Sequence, residues 1–144
     1  MSILNYTTTI DAHRTVTEVQ RLLSRHGARA IMIEYDQAGN PTGLAFQIDR
    51  GGRSLRYRLP CRHDALLKLL RSDPAVRPAQ RTPAQALRVA WRILLNWCEV
   101  QMALIDAEMA SVDEVFLPYA LVGEDQTIYE RWSSTLLLPE DTGG

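Results

Sequence analysis

Seven arginines in the middle of the chain could bind phosphate groups. Five of them fall within 13 residues around a predicted strand, and two more lie in a proline-containing loop further along. They are Arg50, Arg53, Arg56, Arg58 and Arg62, followed by Arg77 and Arg81. A guanidinium group offers a planar fork of N–H donors that matches two phosphate oxygens. The pattern therefore predicts a nucleic-acid-binding surface.

The same arginines also have a structural explanation. Charge on an edge strand hinders pairing with other chains, and arginines can pair with Asp49 and Glu34 on neighbouring strands. Both explanations stay open at the level of sequence. If the loop arginines lie on the same side of the molecule as the arginines of the predicted β-strand, binding of single-stranded nucleic acid becomes more plausible. Few aromatic side chains, however, are free to stack on bases.

The acidic residues in the second half of the chain are better candidates for contact with a partner than for metal binding. Glu99 and Asp106 lie seven residues apart on one predicted helix, and Asp113 follows after another seven. That spacing is also typical of a solvated helix edge. Since none of the three histidines lies in this half, we expect no metal site and no cofactor. The candidate partner contacts are Trp97, Glu99, Asp106, Asp113 and Glu114.

Residue types that perform catalysis are scattered. His13, His26 and His63 are isolated from one another, and no serine stands in the Gly-x-Ser-x-Gly context of a hydrolase nucleophile. We therefore expect a non-enzymatic protein with no catalytic residues.

Trp97 lies on a different side of the predicted long helix from Trp91, which belongs to the buried stripe. A large aromatic side chain outside the stripe predicts an interface, either with the C-terminal part of the same chain or with a second subunit. A homodimer is therefore one of the expected assemblies.

The charges are divided along the chain. Residues 1–92 contain 14 Arg and 1 Lys against 7 acidic residues, whereas residues 93–144 contain 1 Arg against 10 acidic residues. The formal net charge of −1 hides this division. Such asymmetry indicates contact with nucleic acid or an acidic segment that competes for it.

The composition limits the class of protein. A chain of 144 residues with 46% hydrophobic residues fits one globular domain. No segment approaches the roughly 20 apolar residues that span a bilayer, and the N-terminus lacks the pattern of a secretory signal. We expect a cytoplasmic protein with no membrane contact, in which Cys61 and Cys98 remain thiols.

The order of predicted elements indicates an α+β fold, with a three-stranded antiparallel meander packed on helices. Within one domain over residues 1–144, residues 1–71 supply a helix (15–26), the meander (30–35, 42–49 and 54–59) and a short helix (64–71). A proline-containing loop (72–82), a long helix from residue 83 to about 110, a C-terminal hairpin (120–122 and 127–132) and a frayed tail (139–144) follow. Capping-box patterns mark the starts of the first helix and of the long helix. They are Thr15 with Glu18, and Thr82 with Gln85.

Two stretches resemble an uncharacterised family of small bacteriophage and prophage proteins. The first runs from Ile3-Leu4-Asn5-Tyr6-Thr7-Thr8 to His26-Gly27-Ala28 and Glu34-Tyr35-Asp36, and the second from Val89-Ala90-Trp91-Arg92-Ile93 through Asn96-Trp97 to Glu114-Val115-Phe116-Leu117-Pro118-Tyr119. The resemblance spans roughly residues 3–132 and implies an accessory role in a phage cycle, but it assigns no chemistry to a residue.

Two functions follow as hypotheses. The first is a phage accessory protein that binds single-stranded or duplex nucleic acid through the arginine-rich sheet face. The second is an inhibitor of a host defence system, similar to an anti-CRISPR protein, that binds a host or phage protein through its acidic or apolar C-terminal surface.

Overall fold

The computed structural model of the chain describes residues 2–136. In this part of the chain, helices pack on one face of an antiparallel sheet, which confirms the predicted α+β class. The elements are α1 (Ala12–Arg25), β1 (Ala28–Tyr35), β2 (Pro41–Arg50), β3 (Arg53–Pro60), α2 (His63–Ser72), α3 (Pro83–Asp106), α4 (Val112–Phe116), β4 (Leu121–Val122), β5 (Gln126–Thr127) and α5 (Ile128–Leu136). The frayed tail predicted over 139–144 lies outside the described residues.

Helix α1 begins three residues before its predicted start. Thr15 is buried inside the helix, where its Oγ1 lies 3.5 Å from the Asp11 carbonyl oxygen. The predicted capping box is therefore wrong, and Glu18 instead forms an ion pair with Arg92 of α3. The apolar stripe extends back to Ala12, so packing against α3 determines the start of the helix.

The three strands form the predicted meander in the order β1-β2-β3. Ile33, Leu44 and Leu59 are aligned across the three strands on the face that packs against the helices. Ile31, Phe46 and Tyr57 form the next row. The alternation therefore predicted the buried face correctly, because a period of two puts every second side chain on it.

Tyr35 departs from that pattern. Alternation after Ile31 and Ile33 would put it on the buried face, yet it is 55% exposed and stacks on His13, with the ring centroids 6.2 Å apart. A register irregularity between Glu34 and Tyr35 at the end of β1 turns the side chain away from the core.

A second apolar cluster joins α2, the following loop and the start of α3. It contains the buried residues Leu70, Val76 and Ala86. The N-terminal segment is attached here, since the Gln85 amide donates hydrogen bonds of 2.9 Å to the carbonyls of Tyr6 and Thr8. The loop 72–82 was correctly placed and contains one 3-10 turn, Pro78–Gln80.

Helix α3 is the longest helix in the described residues and crosses the buried face of the sheet. Thr82 caps it, as predicted, by accepting a hydrogen bond from the Gln85 N–H at 3.2 Å. Trp91 is fully buried, and its indole N–H donates to the Pro41 carbonyl at 3.0 Å. The indole thus fixes α3 on the start of β2.

Helix α3 ends at Asp106, earlier than the predicted end near residue 110. Glu108 adopts a left-handed conformation with φ of 59°, and the Met109 N–H bonds to the Leu104 carbonyl at 2.9 Å. This closing turn ends the helix. Met109 was expected on the buried stripe but is 72% exposed.

The C-terminal hairpin exists but is shorter than predicted. Its strands β4 and β5 have two residues each, and residues 128–136 form helix α5, not the rest of a strand. Thr127 and Glu130 explain the change: each side chain accepts a hydrogen bond from the other residue's backbone N–H, at 3.1 and 2.9 Å. This capping box starts a helix where a strand was expected.

Candidate nucleic-acid interface

The face of the sheet opposite the helices carries the central arginines. Arg58 is aligned with Ala45 and Met32 across the three strands, and Arg56 is aligned with Gln47 and Ala30. Helix α1 and helix α3 both pack on the other face. The open face therefore presents arginines beside small and polar side chains and the exposed apolar Met32, as expected from the alternation.

The C-terminal hairpin leans over this face and holds both arginines. Arg58 donates from Nη1 to the Asp125 carbonyl at 2.9 Å, and Arg56 donates from Nη2 to the Gly123 carbonyl at 3.5 Å. An antiparallel bridge between Tyr57 and Ala120 attaches the base of the hairpin to the outer edge of β3. The turn 123–125 therefore lies next to the two guanidinium groups.

Carboxylates near the predicted arginines are few and not close. Among the described residues, only Arg50 and Arg58 of the seven have a carboxylate within 4.0 Å: Asp113 at 4.0 Å and Glu34 at 3.8 Å. The closer contacts of Arg56 and Arg58 are with main-chain carbonyls, which carry no net charge. These hydrogen bonds orient both guanidinium groups. Glu34 offsets part of the Arg58 charge, whereas Arg56 has no carboxylate within 4.0 Å among the described residues.

A polar network surrounds the turn between β2 and β3. Asp49 accepts hydrogen bonds from Gln47 at 3.0 Å, from Ser54 at 2.8 Å and from Arg29 at 3.0 Å. Hydrogen bonds from Gln47 and Ser54, with the charge of Arg29 as a smaller cause, lower the pKa of Asp49. Arg53, at the opposite end of this turn, is exposed.

Arg29 also lies at this face, although it was not among the predicted binding residues. A register irregularity between Ala28 and Ala30 brings its side chain to Asp49 on the open face. Strict alternation would not place it there, so the sequence contained no direct signal for this contact.

A shallow groove runs between the sheet and the hairpin. Its volume is about 310 Å³, and its walls include Met32, Gln47, Arg56, Arg58 and Leu121. Met32 is 59% exposed, and Glu124 and Asp125 stand at the hairpin side. The groove thus combines the Arg56 and Arg58 guanidinium groups with an apolar surface. The carboxylates of Glu124 and Asp125 on its hairpin side would repel an anion that approaches them.

The structure does not bring all seven arginines onto one face. Arg77 and Arg81 lie in the loop that packs on α2 and α3, in the helical layer, and Arg81 donates to the Asp73 carbonyl at 3.0 Å. Arg77 is exposed. Arg62 follows β3 and lines a different groove, together with Cys61 and Trp97. The open face therefore holds the β3 arginines without the loop group.

Most of the candidate acidic residues make contacts inside the chain. Asp106 pairs with His26 at 3.0 Å, Asp113 accepts from the Tyr57 hydroxyl at 3.3 Å, and Glu114 caps α4 through Ser111. Glu99 is exposed on α3. The acidic part thus pairs in places with the basic part of the chain.

Trp97 packs against the C-terminal part of its own chain. Its ring meets Phe116 and Tyr119 edge-on, with centroids 5.7 and 5.6 Å away. It remains half-buried and lines a groove. Of the two interfaces predicted for Trp97, the structure contains the one within the chain.

The groups that could perform redox or metal chemistry are buried or dispersed. Burial raises the pKa of the Cys61 and Cys98 thiols to about 12. Within residues 2–136, no three His, Cys, Asp or Glu side chains are grouped in a way that could hold a metal ion. No helix in that range is both long and apolar enough to cross a bilayer.

Comparison of this chain with protein-family models, with curated proteins and with solved structures gave no match.

Proposed function

We propose that this protein is a non-enzymatic nucleic-acid-binding protein whose β3 arginines contact backbone phosphates. The observation that carries the proposal is the way Arg56 and Arg58 are held. Each donates to a neutral carbonyl of the hairpin and is thereby oriented. The charge of exposed Arg56 stays available to a phosphate, and that of Arg58 is offset only in part by Glu34 at 3.8 Å.

The spacing of these arginines suits a polynucleotide. Two residues along a strand rise roughly 6.8 Å. Neighbouring phosphates of a nucleic-acid strand are separated by a similar distance, since the backbone winds around its axis as it rises. Arg56 and Arg58 can therefore contact two neighbouring phosphates. Exposed Arg53 extends the same strand towards the turn.

The proposed role is that of an accessory protein of a phage or prophage, acting in the cytoplasm. The phage role depends on the family resemblance, and the cytoplasmic location on the composition of the chain. Contacts to the backbone predict weak dependence on base sequence and strong dependence on salt.

The deciding experiment is a fluorescence anisotropy titration of labelled single-stranded and duplex oligonucleotides at several salt concentrations. We expect binding at low salt. In the variant Arg56→Gln/Arg58→Gln, the slope of log K against log salt should become less steep by about 1.8 on duplex and by about 1.4 on single strands. The reason is that binding releases fewer counterions when two phosphate contacts are missing.

The control is Arg21→Gln/Arg25→Gln, which removes the same charge from exposed positions of α1, behind the sheet. It should leave most of the slope intact. Absence of binding at low salt would contradict the proposal. An equal loss in the control would also contradict it, since net charge and not the β3 arginines would then account for binding.

The second candidate, an inhibitor of host defence that mimics nucleic acid with its acidic residues, has less support. Asp106, Asp113 and Glu114 all have partners within the chain. A phosphate mimic needs carboxylates that are exposed and free. Absence of oligonucleotide binding in the titration, together with capture of a host protein in a separate pull-down that Glu99→Gln weakens, would favour this candidate.

A further inference from the structure

The middle of the open sheet face carries no carboxylate. Its two central rows each contain one arginine beside uncharged side chains. One row is Met32, Ala45 and Arg58, and the other is Ala30, Gln47 and Arg56. Glu34 and Asp49 lie in the rows on either side, where Asp49 already accepts hydrogen bonds from its neighbours. The centre of the face can therefore accept a ligand that is negative at β3 and uncharged across β2 and β1.

Met32 is the large apolar side chain of this central region. It is 59% exposed, and the small side chain of Ala45 separates it from Arg58 in the same row. Neighbouring strands lie roughly 4.8 Å apart, so the backbones at Met32 and Arg58 are about 10 Å apart across the sheet. The side chain of Leu121, from the hairpin, lines the same groove. An apolar surface thus lies within one nucleotide's reach of an arginine.

The groove has the size and the chemistry for one nucleobase. Its volume is about 310 Å³, and pockets that hold small ligands begin at roughly 300 Å³. A thioether sulfur makes favourable contacts with aromatic rings, and a nucleobase is a flat aromatic ring. A nucleotide laid across the sheet can therefore place its phosphate at Arg58 and its base over Ala45, against Met32.

Only an unpaired strand can make both contacts at low cost. The bases of a duplex are paired and stacked inside the helix, and extruding one of them costs a few kcal/mol. The bases of a single strand can turn away from their neighbours and lie on a protein surface. A duplex would reach the arginines with its phosphates and leave Met32 uncovered.

We propose that the open face binds single-stranded nucleic acid in preference to duplex, with one unstacked base held in the groove against Met32. This inference rests on the proposed function of β3 and names its ligand more closely. It does not depend on Arg77 and Arg81, which lie in the helical layer. Arg56 and Arg58 hold the backbone, and the apolar centre of the sheet selects the unpaired form.

Charge alone makes the opposite prediction, which sharpens the test. A duplex has the higher charge density, so binding through phosphates only would favour it. Anisotropy titration at low salt compares a labelled mixed-sequence DNA strand of about 16 nucleotides with its duplex and with an abasic strand of equal length. We expect the single strand to bind at least about threefold more tightly than either. A ribose strand should show the same preference over its RNA duplex, because neither contact involves the sugar.

Variants of Met32 test the base contact directly. Met32→Ser should lower the affinity for the single strand about two- to tenfold and leave duplex and abasic strand unchanged. Met32→Tyr should raise the single-strand affinity by a similar factor, because a nucleobase stacks well on an aromatic ring. Tyrosine is favoured in exposed strands, so this variant should fold. Met109→Ser is the control, since Met109 is 72% exposed but lies outside the groove.

The possible failures are distinguishable. Tighter or equal binding of duplex and abasic strand, with no effect of Met32→Ser or Met32→Tyr, would overturn the inference and leave phosphate binding by β3 intact. Equal loss of duplex and single-strand binding in Met32→Ser would also overturn it, since a general disturbance of the sheet would then account for the loss. No binding of any strand at low salt would overturn the proposed function together with this inference.

Discussion

The Nη1 of Arg58 lies 2.9 Å from the carbonyl oxygen of Asp125, 67 residues further along the chain. This hydrogen bond joins the basic strand to an acidic turn without forming an ion pair with the Asp125 carboxylate. The basic first part and the acidic last part of the chain thus meet here, where the acidic turn lies beside the basic strand. The turn orients the arginines, and its carboxylates oppose any anion that approaches them.

Removal of the turn carboxylates should strengthen nucleic-acid binding. In Glu124→Gln/Asp125→Asn the main-chain carbonyls remain, so the hydrogen bonds to Arg56 and Arg58 are kept. Two nearby negative charges disappear, and we expect the affinity for an oligonucleotide at low salt to rise about three- to tenfold. Anisotropy titration measures the change.

The matched control is Asp11→Asn/Glu99→Gln, which removes two exposed carboxylates away from the open face. It should change the affinity much less. An equal increase in both variants would show that only the net charge matters, and the turn would have no special part in binding.

The sheet was predictable from sequence because its cause is local. Strict alternation from Leu44 to Ile48 and from Leu55 to Leu59, with Gly51 and Gly52 between the strands, determines the faces and the turn together. The arginines of β3 could be assigned to the open face for the same reason.

Other features depend on contacts that the sequence does not show. The acceptors for Arg56 and Arg58 are main-chain carbonyls, which any residue type can supply. Helix α5 is different, because Thr127 and Glu130 have the spacing of a capping box. That signal was present in the sequence, although the adjacent β-branched residues favoured a strand.

Trp91→Phe should destabilise the fold more than any other conservative change of a tryptophan. The indole is fully buried and satisfies the Pro41 carbonyl. Phenylalanine leaves that carbonyl without its donor and opens a cavity, so we expect a loss of about 2 kcal/mol in the free energy of unfolding. Urea denaturation measures it. Trp132→Phe, at an exposed position, should stay within about 0.5 kcal/mol of the wild type, and a similar loss there would contradict the assignment of the core.

Stability should fall as the pH rises through the pKa of His26. Its Nδ1 faces the Leu22 carbonyl at 2.9 Å and its Nε2 faces Asp106 at 3.0 Å, so both nitrogens must carry protons to make both hydrogen bonds. The hydrogen bond with Asp106, then that with Leu22, raises the pKa of His26 above its ordinary value of 6.5. The contribution is therefore complete below about pH 6.5 and disappears as the pH rises through the folded-state pKa.

Because Asp106 is largely exposed, we expect the contribution to be about 0.5 kcal/mol. Urea denaturation at about pH 6 and pH 8.5 compares the two states, and NMR titration gives the pKa of His26 directly. Asp106→Asn should lower that pKa and flatten the pH dependence. A wild-type His26 pKa at or below 6.5 would show that the pair contributes nothing.

Alkylation should test the burial of both cysteines. Cys61 is 7% exposed and Cys98 is fully buried. Since burial raises the pKa of both thiols to about 12, little thiolate exists at pH 8.5, and both should react far more slowly in the folded protein than in urea. Mass spectrometry of the alkylated peptides distinguishes the two cysteines, and a rate at either one equal to its rate in urea would contradict its burial.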